Sequence, residues 1–199
     1  MRSILLSIKP KYVELIASGE KTVEVRKTRP KLETPFKCYI YCTRGRTTET
    51  LLIGKDGQVA FGDYRNACTC DADGNVDYFV AEGNVIGEFV CDKIVEFENS
   101  WDDGAFYETA ERACIGVEEL ARYIGKKDFG YGWHITDLKI YDKPRELSEF
   151  RKPCPYTNGA CLERKCEYYD DYSGKCCCKG ERPPQSYMYV EELGDSEND

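Results

Sequence analysis

Lys21, Glu24 and Arg26 place an ammonium, a carboxylate and a guanidinium within one short stretch that follows Gly19. From Thr22 to Arg26 the pattern alternates, with Val23 and Val25 on one face and Thr22, Glu24 and Arg26 on the other. On a strand, side chains two residues apart rise from bases roughly 7 Å apart, so their tips converge. The Arg26 guanidinium is a planar fork suited to a phosphate or a base edge, which a lysine does not reproduce. Glu24 would orient that fork or accept protons from an exocyclic amine. The same spacing also suits an internal ion pair that holds the fold together. Lys9 and Arg44 are further cations with which a nucleic-acid surface would be built. Tyr131, Trp133 and His134 form an aromatic group among glycines. Such a group can stack bases without regard to sequence, or it can pack a core. His134 is the chain's single histidine and suits either a proton acceptor or a structural imidazole. Tyr39 and Tyr41 share one face of their segment and would flank a cleft or cover the core.

A second constellation is made of thiols. Cys154, Cys161, Cys166, Cys176, Cys177 and Cys178 fall in a segment poor in apolar residues. Tetrahedral zinc needs four ligands, and with one histidine available they must be thiolates. The expected set is Cys154, Cys161 and Cys166 with Cys176 or Cys178, holding a structural zinc. An iron–sulfur cluster takes the same number of cysteines, and free thiols are the remaining alternative. Cys38, Cys42, Cys91 and Cys114 stand in apolar contexts that predict buried, inert thiols, while Cys68 and Cys70 are a further pair. Asp71-Ala72-Asp73-Gly74-Asn75 looks like half of a calcium loop closed by Glu82, but its flanks are not helical, and a turn fits better.

The 199 residues suit one domain plus an appendage, and 41% hydrophobic and 13% aromatic content argues for a folded chain. The net charge of -8 is unevenly spread. Residues 1–47 carry 11 Lys/Arg against 4 Asp/Glu, a net of +7, which leaves the remainder at −15. A basic start can attract phosphate, and an acidic end keeps the protein soluble. Ile4-Leu5-Leu6 is too short for a signal-peptide core, and no later run approaches a membrane span. The expectation is a cytoplasmic protein without membrane contact, whose twelve cysteines are not disulfides.

Elements that would position these residues can be read in order. Ser3–Ile8 is a strand. Pro10 opens a helix whose apolar face is Tyr12, Val13, Ile16 and Ala17, stopped by Gly19. Thr22–Arg26 and Cys38–Thr43 are strands. Residues 46–84 read as an insertion of one or two hairpins, with Lys55-Asp56-Gly57 as a turn. Val85–Phe97 reads as one long strand containing Gly87. Gly104–Cys114 and Val117–Ile124 are short helices stopped by Gly116 and Gly125. Gly130–Tyr141 reads as a closing strand, and Ser186–Val190 as a last short one. Strands dominate without a repeating strand–helix rhythm, so the expected class is α+β, built on a small, mostly antiparallel β-barrel with flanking helices. The domain would span residues 1–150. A loop-rich cysteine extension over 151–190 and an acidic tail over 191–199 would follow.

Four blocks in order carry a resemblance. They are Ser7-Ile8-Lys9-Pro10 with Gly19-Glu20-Lys21-Thr22-Val23-Glu24-Val25-Arg26, then Val85-Ile86-Gly87-Glu88-Phe89, then Gly132-Trp133-His134-Ile135. Together they resemble the ASCH domain family, which implies a PUA-like fold with a cleft suited to RNA or modified nucleosides. The close, Arg182 to Glu191, is similar to a subgroup common in phages and prophages. One ASCH branch comprises amidohydrolases that deacylate a modified cytidine with a lysine, a threonine nucleophile and a later glutamate. Lys21 matches that lysine, and Glu88 could supply the later acid. The threonine's place, however, is held by Glu24, whose carboxylate cannot make the same attack, and Thr22 is displaced along the strand. The leading expectation is a nucleic-acid- or nucleoside-binding regulatory domain. A nucleoside-processing hydrolase or RNA-cleaving enzyme is the alternative, and a phage-encoded protein-interaction domain is a third.

Overall fold

The computed structural model describes residues 2–45, 49–54, 57–62, 78–154, 178 and 182–193. Asp71–Asn75, Cys68, Cys70 and most of the cysteine-dense segment lie outside these residues. In chain order the elements are β1 (Arg2–Ile8), α1 (Pro10–Ala17), β2 (Val23–Arg26), β3 (Phe36–Cys42), β4 (Thr50–Gly54), β5 (Val59–Gly62), β6 (Tyr78–Val80), β7 (Val85–Cys91) and β8 (Ile94–Glu98). There follow α2 (Gly104–Arg112), α3 (Val117–Ile124), β9 (Phe129–His134), β10 (Thr136–Arg145) and β11 (Tyr187–Glu191). The class is α+β. Among the described residues no helix is long and apolar enough to cross a membrane.

The strands form three sheets, in the orders β10-β7-β3-β1-β11, β2-β9-β8 and β5-β4-β6. This corrects the expectation of a barrel, because among the described residues no sheet closes on itself. β1 and β3 pair in parallel, and the remaining pairs are antiparallel. Two segments that read as single strands are each divided between sheets. Val85–Phe97 breaks at Asp92-Lys93 into β7 of the main sheet and β8 of the second. Gly130–Tyr141 breaks at Ile135 into β9 and β10 in the same way. Each resumes its apolar residues beyond the corner, Ile94 and Val95 in one and Leu138 and Ile140 in the other, with no glycine or proline to break the run at that point.

Along β1 and β3, Ile4, Leu6 and Ile40 enter the main core beside α1, while Leu5, Tyr39 and Tyr41 pack with Phe150 and Val190. Tyr39 and Tyr41 therefore cover core. Leu51 and Ile53 of β4 are fully buried in the main core, so the sheet that falls within residues 46–84 is packed into the domain rather than hung from it. Of the two helices that follow β8, α2 is capped by the Asp103 side chain, which accepts from Ala105 N–H at 2.9 Å. It ends before Cys114, and Gly116 serves as the N-cap of α3 rather than as a stop. Cys38, Cys42 and Cys91 are buried, and burial pushes the Cys42 and Cys91 thiols up to about 12, so they stay protonated and unreactive near neutral pH.

Candidate functional site

All four residues of β2 are buried. One face of the strand meets the core and the other meets α2 and α3, where Val25 packs with Phe106, Ala110 and Leu120. The alternation expected from the sequence is present in direction but not in exposure, and it carries two charges inside. Gly19, in the left-handed region at φ +79°, turns the chain out of α1, and Lys21 N–H donates to Leu15 O at 2.8 Å. Lys21 Nζ then donates to Val23 O at 2.7 Å and Ala113 O at 3.0 Å, and lies 3.2 Å from Glu24 Oε2. The other carboxylate oxygen, Glu24 Oε1, is 3.0 Å from Arg26 Nη2. That nitrogen also donates to Ser7 O at 2.9 Å, and Nη1 reaches Ser186 Oγ at 3.4 Å. Arg26 Nε has no hydrogen-bond partner among the described residues. Lys21, Glu24 and Arg26 are 4%, 7% and 4% exposed, so two cations and one carboxylate are held away from bulk water.

This triad borders a cavity of about 380 Å³. Ser7, Lys9 and Tyr12 form one side, Thr43 and Ile115 another, and Glu119 and Tyr123 of α3 a third. Pro184 and Gln185 complete the lining just ahead of β11. They are tied down by Ser7, whose Oγ donates to Pro184 O at 2.6 Å and whose N–H donates to Ser186 O at 3.0 Å. Tyr12 and Tyr123 each carry a lysine by the ring, Lys11 at 5.3 Å and Lys27 at 4.9 Å. Tyr12 donates to Glu119 Oε1 at 3.0 Å. Burial first, and then Glu119, pushes its phenol up to about 12. Burial also raises the Tyr123 phenol, while the adjacent Arg26 guanidinium pulls it the other way. The Lys21 ammonium spends its three N–H bonds on Val23 O, Ala113 O and Glu24.

Of the residues singled out from sequence, Lys9, Lys21, Glu24 and Arg26 meet at this cavity, and the others lie elsewhere. Trp133 sits across from Glu24 in the β2–β9 pairing. It is fully buried against Phe36 and Tyr187, at 5.6 and 5.3 Å, so its ring is core and not a stacking platform. Tyr131, paired with Arg26, interacts with Glu96 and does not line the cavity. His134 Nδ1 lies 2.7 Å from Asp92 Oδ1, whose carboxyl it lowers, beside a separate cavity of about 210 Å³. Arg44 is exposed and lies against Gly83. Glu88 accepts from the Tyr141 hydroxyl at 2.6 Å and pairs with Lys37 at 3.4 Å, outside the cavity lining. Sequence reasoning missed Tyr12 and Tyr123 as walls. Tyr12 was spent on the apolar face of α1. The i,i+4 pair Glu119–Tyr123, which shares one side of α3, was the available signal for the other.

Among the proposed metal ligands, Cys154 and Cys178 are buried, and Lys152 N–H donates to Cys178 O at 2.7 Å. Cys161, Cys166 and Cys176 lie outside the described residues. Among the described residues no group of three or more His, Cys, Asp or Glu side chains is gathered as a metal site would require.

The ASCH domain family model matches residues 6–187. The structure is similar to that of ASCH from Zymomonas mobilis, at 17% identity over 73% of each chain, with a TM-score of 0.48. A serine-to-alanine mutant of that Zymomonas mobilis protein aligns at 15% identity over 96% of this chain and 89% of its own, with a TM-score of 0.53. At such identities the likeness bears on fold alone. No curated protein matches the chain by sequence. The family match covers nearly the whole chain, including the triad and the segment that closes its cavity, and the chain therefore belongs to the ASCH domain family.

Proposed function

We propose that this chain binds RNA, or a free nucleoside or nucleotide, in the cavity bordered by Lys21, Glu24 and Arg26, and acts as a binding or regulatory domain. The observation that carries the reading is the buried triad, in which two cations face one carboxylate beside a cavity walled by Tyr12 and Tyr123. The excess positive charge favours phosphate or carbonyl oxygen, and the tyrosine rings offer π-faces to a base. The cavity volume of about 380 Å³ suits a ligand of nucleoside size. Lys9, Lys11 and Lys27 stand around the tyrosines and would meet the phosphates of a strand. Membership of the ASCH family, a PUA-like group associated with RNA, points the same way. Deacylation of a cytidine derivative is disfavoured, because Lys21 is fully engaged, Glu24 replaces the threonine and Glu88 is bonded elsewhere.

The test is a titration of fluorescent single-stranded RNA and of a nucleoside monophosphate against wild type and Arg26→Lys, with folding checked by circular dichroism. Wild type should bind more tightly at ~50 mM than at ~200 mM salt, since phosphate neutralisation releases counterions. Arg26→Lys keeps the charge but loses the fork, and affinity should fall about tenfold. Equal binding by both proteins, or none at low salt, would make the triad a purely structural ion network.

We further propose that Cys154, Cys161 and Cys166, with Cys176 or Cys178, hold one structural zinc in a reducing, cytoplasmic setting. In support, the two described cysteines are buried at the ends of the segment, and the Lys152–Cys178 hydrogen bond brings those ends together. The likeness of Arg182–Glu191 to a phage and prophage subgroup is part of the same proposal.

A further inference from the structure

Trp101 in the loop between β8 and α2, Tyr107 of α2 and Phe129 of β9 are exposed aromatic residues that the cavity at β2 does not use. Trp101 is 55% exposed, and Tyr107 and Phe129 are each 43% exposed. These rings are nevertheless held. The Trp101 ring lies 5.8 Å from Phe106 and 6.5 Å from Tyr107, and Phe106, buried beneath it, packs on Phe97 at 6.0 Å. Phe129 is fixed opposite Glu98 by the β8–β9 pairing. Asp103 ties the loop down by accepting from Ala105 N–H at 2.9 Å and Glu98 N–H at 2.7 Å. Single exposed rings need no explanation, but Phe129 lines a cavity of about 410 Å³ whose walls include Ser100 and Asp102, the two chain neighbours of Trp101, and exposed rings gathered at such a place mark an interaction surface.

The cavity walls indicate the partner's chemistry. They include Glu96, Glu98, Asp102, Asp103 and Phe129, with no lysine or arginine among the described residues. Asp103 is spent on the helix cap and Glu96 interacts with Tyr131. Glu98 and Asp102 have no ion-pair partner among the described residues. The surface thus combines uncompensated carboxylates with the negative faces of aromatic rings, and both attract a cation that must also be partly desolvated. A nucleic acid would be repelled by the same carboxylates. A second copy would be disfavoured by the net charge of -8 and by the lack of a cation in the cavity walls.

We propose that this ledge docks a basic peptide segment of another protein, with an arginine or lysine side chain seated against Phe129 and Trp101 and its charge met by Glu98 and Asp102. It is independent of the cavity at β2. The chain's two tryptophans make the test local, because Trp133 is fully buried and Trp101 reports on this surface. A hexa-arginine peptide should give a saturable change in tryptophan emission that weakens between ~50 and ~300 mM salt, whereas hexaglutamate should give none. The double variant Glu98→Gln, Asp102→Asn, altered only at surface carboxylates, should bind hexa-arginine about tenfold more weakly. Trp101→Phe should lose the signal while retaining binding by calorimetry. No emission change at millimolar peptide would overturn the proposal. So would undiminished binding by the double variant, which would place the peptide on another acidic surface such as the tail. Single-stranded RNA, or raised protein concentration alone, producing the same emission change would assign the ledge to nucleic acid or to a second copy instead.

Discussion

Lys21 Nζ and Arg26 Nη2 flank the buried Glu24 carboxylate at 3.2 and 3.0 Å, and each of those cations is in turn bonded to backbone oxygen. Burying an isolated ion is far costlier than burying a matched and hydrogen-bonded set, so the three residues depend on one another. Glu24→Gln keeps the shape of the side chain but leaves two buried cations without their counter-charge. It should destabilise the fold by about 3–5 kcal/mol, read as a lower urea midpoint with an unchanged slope. An unchanged midpoint would mean that water in the cavity already screens the cations. The shared direction of Glu24 and Arg26 follows from strand geometry and was visible in the sequence. Their burial was not, because it depends on segments far apart in the chain, Ser7 of β1 and Ser186 ahead of β11, closing over that face.

At the scale of elements, the joint between β7 and β10 shows how one residue type can be imposed by packing. A Cβ on Gly87 would lie 2.5 Å from the Lys139 carbonyl oxygen and 3.1 Å from the Ile140 Cα. Both are backbone atoms that cannot rotate aside. Gly87→Ala must therefore push β10 off β7 and should cost about 1–3 kcal/mol in thermal or urea unfolding. A variant as stable as wild type would show that the two strands separate freely at this point. The glycine was noticeable within an apolar run, yet its reason was not, since β10 lies about fifty residues further along the chain. The corners at Asp92-Lys93 and Ile135 were missed for a related cause. Neither corner carries a glycine or proline, so the apolar residues on its two sides read as one run.

For the molecule as a whole, the C-terminal segment is part of the domain rather than a trailing end. β11 pairs with β1 from Leu6–Tyr187 to Arg2–Glu191. Its tyrosines reach the loop after β2, Tyr187 donating to Arg29 O at 3.2 Å and Tyr189 accepting from Lys31 N–H at 2.7 Å. The cysteine-dense segment leads directly into this strand, so a metal held there would fix the strand's approach to the cavity. Protein purified under reducing conditions without chelator should carry about one zinc per chain. Cys154→Ser should lower hydrogen-exchange protection over residues 182–193 while leaving the main sheet protected. Elemental analysis that finds no metal would remove the zinc proposal, and unaltered protection would uncouple the metal from the strand.

Taken alone, the sequence determined the α+β class, most of the short elements and the family, because periodicity, turn chemistry and motif order are local properties of the chain. It also picked out Lys9 and Lys21 together with Glu24 and Arg26, and the spacing of the last two is preserved wherever the strand is placed. The tertiary structure decided which aromatic rings accompany them. Trp133 shares a face with Glu24 but lies beneath the main sheet, whereas Tyr12 and Tyr123 come from two helices far apart in sequence and meet on either side of the cavity. Which side of an aromatic residue is covered depends on long-range packing, and composition carries no record of it.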